Sequence, residues 1–321
     1  MEKYIDKIII SVLKGKDYRP YVLATINKRF VDTVYLLLKK ILEARKKNKS
    51  EDWWIKELVE NSAISKRELL WFVGLNNKTV TNMANTAKRE VCIDLGKENI
   101  NSIKMLAEEI EKMHDGLPYI EIKLKHRKEE IILSEKESIQ VLNTISAMKL
   151  TVQGGAWSEV GKKVEKKLLF TIFEMLGLPS KNYVLVSDEM KKKGFVGNRE
   201  IDGIILSDDH KKIIQIEFKL LGIGNPEIGD EALAREVGLF LVDRMTTMMI
   251  EEGKKKGVNI IELRDEKALT KIGEYLKKEG FNVKNPPKIT EIEKLVPQIT
   301  KKYNEDLENK KIMFKAKELV K

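Results

Sequence analysis

The run NREIDGIILS over residues 198–207 and the run KIIQIEFK over 212–219, joined by a short polar tip, constrain this chain more than any other segment. Successive side chains of a β-strand point to opposite faces. Gln215, Glu217 and Lys219 therefore share one face of the second run, and Ile214, Ile216 and Phe218 the other. Asp202 lies between Ile201 and Gly203 in the first run. SDDHK over 207–211 reads as a hairpin connection, so pairing the two runs brings Asp202 beside Glu217 and Lys219. Two carboxylates in proximity push each other's pKa upward, a cost that a divalent cation removes by supplying positive charge. Oxygen ligands suit Mg²⁺, which bridges a phosphate and activates water, while a lysine amine beside it holds the water or offsets charge on phosphorus. The plain alternative is a half-exposed strand whose solvent face happens to read Gln, Glu, Lys.

A second Glu-x-Lys, at Glu121 and Lys123 in YIEIKLK over 119–125, has the same alternation. Its nearest upstream aspartate, Asp115, is too close for two paired strands, and the segment reads as an ordinary amphipathic strand. Asp208, Asp209 and His210 read as a charged hairpin tip. In GKKVEKKLLFTIFEML over 161–176, Leu168, Leu169, Ile172 and Leu176 make an apolar stripe at helical spacing. Glu165 precedes Leu169 by four residues and Ile172 by seven, which puts its carboxylate on the core side, where an unpaired charge is expensive. Either it joins the site, or it makes a salt bridge or complements the helix dipole.

The Asp202…Glu217-x-Lys219 arrangement resembles the PD-(D/E)xK nucleases, with Ile201 where the label has a proline that carries no chemistry. Such nucleases often set a glutamate on the helix before the sheet, so the resemblance implies that Glu165 completes the metal shell directly or through water. Upstream, TVQGGAWSEVGKKVE over 151–165 joins a glycine turn at Gly154 and Gly155 to a helix start, where backbone amides beside Trp157 and Ser158 can receive a DNA phosphate. This entry, with Gly161-Lys-x-Val-Glu165-Lys and Gly15-Lys-Asp-Tyr-Arg19, is similar to the CfrBI-type restriction endonucleases over most of the chain. The resemblance implies a type II enzyme that uses Mg²⁺ to cut double-stranded DNA at a short palindrome of the CCWWGG kind, leaving 5′-phosphate and 3′-hydroxyl ends. It also implies a cognate DNA methyltransferase encoded nearby.

Lys and Arg number 60 against 50 Asp and Glu, so the net charge of +10 favours a polyanionic partner through counterion release. The abundance of both signs also fits a thermophilic or AT-rich source. A single cysteine, Cys92, excludes an internal disulfide and a cysteine-based zinc site, which points to a reducing compartment. His114, His126 and His210 have no metal-ligand spacing. No apolar run reaches spanning length and MEKYIDKIII lacks a cleavage site, so a soluble cytoplasmic protein is expected.

The first hundred or so residues read as helical, over 5–13, 21–46 and several shorter elements. In ISKRELLWFVGLNNKTVTN over 64–82, Ser65 and Glu68 make a capping box, Leu69, Leu70 and Phe72 supply core contacts, and Gly74 permits a tight turn into a second helix near Asn77. As a helix-turn-helix, this would turn Lys78, Thr79, Thr81 and Asn82 toward DNA; the alternative is a helical hairpin used only for packing. The pattern changes from helices to strands at 114–118. Strands follow around 119–124 and 130–133, then a helix near 135–148. After Lys219 the glycine-rich loop over 220–230, with Asn225 and Glu227, is a candidate DNA-recognition loop. A helix over 231–252 with Val237, Phe240, Leu241 and Met248 on one stripe and Arg244 on the same side, a buried strand over 258–263, a surface helix over 267–278 and a basic helical tail complete the reading.

The expected protein is α/β, a restriction-endonuclease-like mixed sheet flanked by helices over 116–321. An all-α helix-turn-helix-like DNA-binding domain precedes it over 1–115, with the motif at 65–90. Catalysis is expected from Asp202, Glu217, Lys219 and Glu165, with Asp202, Glu217 and Glu165 as metal ligands. A homodimer is expected because a two-fold enzyme reads a palindrome naturally. The rivals are a repair or junction-resolving nuclease of the same fold and a non-enzymatic helix-turn-helix regulator.

Overall fold

The computed structural model describes residues 2–113, 119–186, 190, 201–209, 211–220 and 237–308, with backbone alone at 2, 110, 111, 113, 129, 153–159, 307 and 308. Two compact units emerge. One comprises the described residues of Ile26–Trp157, the other those of Met1–Thr25 and Ser158–Lys321. This grouping cuts the chain elsewhere than the change of pattern at 114–118, a segment outside the described residues.

The Ile26–Trp157 unit is mostly helical. It takes in most of α2 (Arg19–Lys47), a π-helical turn (Ile55–Val59), α3 (Lys66–Phe72), α4 (Asn77–Ala84), α5 (Arg89–Met113) and the first part of α6 (Glu135–Met175). Between α5 and α6, β1 (Ile122–His126) and β2 (Glu129–Leu133) form a two-stranded antiparallel hairpin, with Lys123 on the expected strand and Glu121 one residue before it. The core is aromatic. Trp53 and Trp54 meet edge to face at 5.2 Å, Trp54 meets Phe72 at 6.2 Å, and Leu69, Val73, Val80 and Leu133 close around them with no exposure.

The other unit contains α1 (Glu2–Leu13), the rest of α6 and a mixed five-stranded sheet in the order β3-β4-β5-β6-β7. The strands are β3 (Tyr183–Leu185), β4 (Gly203–Leu206), β5 (Ile213–Lys219), β6 (Leu239–Val242) and β7 (Asn259–Glu262). β3, β4 and β5 pair antiparallel; β5, β6 and β7 pair parallel. α6 packs one face of the sheet through Leu169, and Leu168, Ile172 and Leu176 on the same helix are fully buried with it. A Cβ at Gly203 would stand 2.6 Å from Leu169 Cδ2, so the glycine lets helix and strand approach. α7 (Thr247–Lys256) packs the opposite face, its Gly253 against Ile260. α8 (Ala268–Lys278) and α9 (Ile292–Glu308) follow, α9 resting on α1.

Two expectations are corrected here. α6 runs unbroken through Gly154 and Gly155, so there is no glycine turn and its backbone N–H groups are used by the helix rather than offered to a phosphate. Two interior glycines cost about 1 kcal/mol each. Burial of Val152, Val160 and Val164 along the same helix outweighs that. The expected helix over 231–252 is also corrected where the chain is described: 231–236 lie outside the described residues, Leu239–Val242 is strand β6, and helix begins only at Thr247. β6 lies between two neighbours with all four residues buried, so its apolar run has no alternation to set it apart from a buried helix. Arg244 stands exposed in the bend after β6, and Met248 is exposed on α7.

Candidate active site

β4 and β5 pair with Gly203 opposite Ile216 and Leu206 opposite Ile213, the hairpin expected from the alternation. Asp202 lies one residue before β4. Its backbone N–H donates to Ile216 O (3.0 Å), and its carboxylate Oδ2 accepts the backbone N–H of Phe218 (2.8 Å), so it is gripped on either side of Glu217. Glu217 has 0% exposure, with Lys219 Nζ 3.5 Å from its Oε1. An ordinary solvent face would leave this glutamate in water. A fully buried carboxylate is instead tolerated only with compensation, which makes this end of β5 a candidate site.

Glu165 reaches this end of the strands from α6. Its Oε1 accepts the backbone N–H of Leu220 (3.4 Å). Burial first, and then the charge of Asp202, push its carboxyl up to about 7, against the Leu220 N–H and the charges of Lys219 and Lys162, which pull it down. Asp202, Glu217, Lys219 and Glu165 are thus brought together. Among the described residues no group of three or more His, Cys, Asp and Glu side chains stands in metal-binding geometry. The chemistry of the set nevertheless suits a hard cation, since Mg²⁺ needs only one or two carboxylates and completes its shell with waters and substrate phosphate.

The expected DNA-contacting residues divide. Ser65 and Glu68 form the capping box of α3; Gly74 turns the chain at φ +70°, and Asn76 caps α4 by accepting Thr79 N–H (2.9 Å). Lys78, Thr81 and Asn82 are exposed on α4 and Thr79 is half-buried, while Val80 anchors the helix inward. The turn is held from three sides: Phe72 O accepts Trp54 Nε1 (3.0 Å) and Gln140 Nε2 (2.9 Å), and Val73 O accepts Asn99 Nδ2 (2.8 Å). Trp157 and Ser158 lie on α6 with side chains outside those described. Asn225 and Glu227, like His210, lie outside the described residues altogether.

One arrangement escaped the sequence reading. Asp243, directly after β6, is 2% exposed, and its backbone N–H donates to Lys219 O (3.1 Å). Its carboxylate takes Arg264 Nε at 2.6 Å and also engages the Tyr18 hydroxyl. Arg264 continues to Asp17 (3.4 Å), which chelates Arg19 with bonds of 2.9 and 2.8 Å. The Arg19 bonds, against a smaller effect of burial, hold the Asp17 carboxyl well below the usual range. Burial, then Asp243, push the Tyr18 phenol far up. Asp17, Tyr18 and Arg19 belong to the Gly15-Lys-Asp-Tyr-Arg19 string, whose role no local periodicity reveals.

No helix among the described residues is long and apolar enough to cross a membrane. No curated protein and no solved structure matches this chain. The family model described as CfrBI restriction endonuclease does match, over residues 2–249, a span that takes in the capped α3–α4 turn, the buried Glu217 and the half-buried Asp202 and Lys219. With that match across most of its length, the chain belongs to the CfrBI restriction endonuclease family.

Proposed function

We propose that this protein is a type II restriction endonuclease of the PD-(D/E)xK kind, hydrolysing double-stranded DNA at a short palindromic site with Mg²⁺. The observation that carries the reading is the fully buried Glu217, with Asp202 fixed beside it by two main-chain hydrogen bonds and Lys219 Nζ 3.5 Å away. Asp202 and Glu217 would hold the cation, Glu165 assisting. When bound, the cation supplies Lewis-acid stabilisation of the phosphate and lowers the pKa of a water. Lys219 orients the attacking water in line with the scissile bond and offsets charge on the non-bridging oxygens. Glu165, with a carboxyl near 7, is able to hold or release a proton at neutral pH beside the same strand end. α4 presents Lys78, Thr81 and Asn82 to DNA, and two copies related by a two-fold axis cut the two strands. A site of the CCWWGG kind and a methyltransferase encoded alongside accompany this reading.

The test is incubation of the full chain with plasmid DNA and Mg²⁺. Discrete fragments support the proposal. Smearing, or preference for branched substrates, would move the protein to repair or junction resolution, and intact DNA of retarded mobility would make it a binding protein.

A further inference from the structure

We propose that Asp243, Arg264 and Tyr18 form a positioning lock that fixes the end of the strand carrying Glu217 and Lys219 and ties it to the 15–19 loop. The inference rests on the nuclease reading above. β5, β6 and β7 are parallel and finish at one edge, Lys219 beside Val242 and Val242 beside Glu262. Lys219 is the last residue of β5, where strand ends fray unless something continues the ladder. Asp243 continues it: its N–H bonds Lys219 O at 3.1 Å, and Leu263 N–H in turn bonds Val242 O at 2.8 Å. The Asp243 side chain is then immobilised by Arg264 at 2.6 Å and by the Tyr18 hydroxyl, with the guanidinium stacked 5.2 Å from the Tyr18 ring centroid.

The loop is seated as tightly. Gly15 has φ +65°, and a Cβ there would lie 2.6 Å from the Arg264 carbonyl oxygen, so the 15–19 segment rests directly on the chain after β7. Tyr18 is 4% exposed, and Arg264 completes the tie through Asp17. A nearly buried ion pair is a poor way to gain stability, because desolvation cancels much of the attraction and an apolar pair of like volume serves as well or better. What a charged, directional network adds is a fixed orientation. Here that orientation is handed to the main chain of Lys219, where a displacement of about 1 Å costs on the order of a hundredfold in rate.

The double variant Asp243→Leu with Arg264→Met, and separately Tyr18→Phe, are compared with wild type for melting temperature, Mg²⁺-dependent turnover, DNA affinity in Ca²⁺ and amide hydrogen exchange over 213–220 and 237–245. A positioning role predicts that the double variant folds with a melting temperature near wild type and binds DNA within about threefold. Its turnover falls about tenfold or more, with faster amide exchange at Lys219 and at position 243. Tyr18→Phe, which removes one hydroxyl and keeps the fold, shows the same split to a smaller degree. Wild-type turnover and exchange in Tyr18→Phe, or in a folded double variant, overturns the lock while leaving the nuclease reading intact. A wild-type protein that fails to cut DNA in Mg²⁺ or Mn²⁺ instead overturns the nuclease reading, and the lock with it.

Discussion

The backbone N–H of Phe218 donates to Asp202 Oδ2 at 2.8 Å, which sets one carboxylate of the candidate site by the main chain of the strand that carries the other. Because neither Asp202 nor Glu217 depends on a long flexible stem for its position, each should be separately necessary. Asp202→Ala and Glu217→Ala are each expected to lower Mg²⁺-dependent cleavage by at least about 10²–10³-fold, the scale of losing one preorganised electrostatic group. DNA binding in Ca²⁺, measured by mobility shift, should remain within a few-fold of wild type. Substantial cutting by either variant removes that residue from the site.

Gly74 gives a purely structural prediction. Its φ is +70° and an added Cβ would lie 1.8 Å from Asn143 Nδ2, so alanine meets both backbone strain and a collision. Gly74→Ala should destabilise the protein by about 1–3 kcal/mol, read as a lower denaturation midpoint. Trimming the obstacle in Gly74→Ala with Asn143→Ala should recover part of the loss but not the part due to φ. An unchanged midpoint in the single variant would show that the turn adjusts freely.

What was legible in the sequence follows from range. The β4–β5 hairpin and the capping box at Ser65 and Glu68 are short-range, and their residue types and spacing state them directly. β6 was hidden because a strand covered on both faces has no alternation. The unbroken α6 was hidden because two glycines are a weak local signal against valines buried on either side of them. The Asp17–Arg264 contact joins residues 247 apart and leaves no periodic trace. Glu165 lies between these cases: the helical stripe placed it toward the core, but only the fold brings the Leu220 N–H and the Asp202 charge to it.

The exposed face of α4 makes a separate claim about affinity. Lys78 and Asn82 are both exposed on a helix capped at Asn76. Replacing both with alanine should weaken DNA binding. The slope of log affinity against log salt should fall by about one, as for one lost phosphate contact. Turnover at saturating DNA should persist. Unchanged affinity and slope would leave α3 and α4 as a packing hairpin.

Glu165 has the sharpest pH signature. In the metal-free protein its carboxyl sits up near 7, burial being the main cause and Asp202 the second, whereas an ordinary glutamate titrates near 4.5. Folded protein therefore binds a proton that unfolded chain has released over roughly pH 4.5–7, and stability from this group is fully present below that window and lost as pH rises through it. Glu165→Gln carries no charge at any pH and escapes the loss. Melted in EDTA, the variant should match wild type near pH 5 and exceed it near pH 8. A structural ion pair predicts the reverse, since neutralising one partner of a buried pair typically costs about 3–5 kcal/mol and would lower the melting temperature at pH 8. Turnover on the same preparation completes the argument. A role in holding the cation predicts a fall of about tenfold or more that high Mg²⁺ or Mn²⁺ partly restores. A Glu165→Gln protein that melts lower at pH 8 and cleaves as wild type would take Glu165 out of the site and leave it a partner in packing.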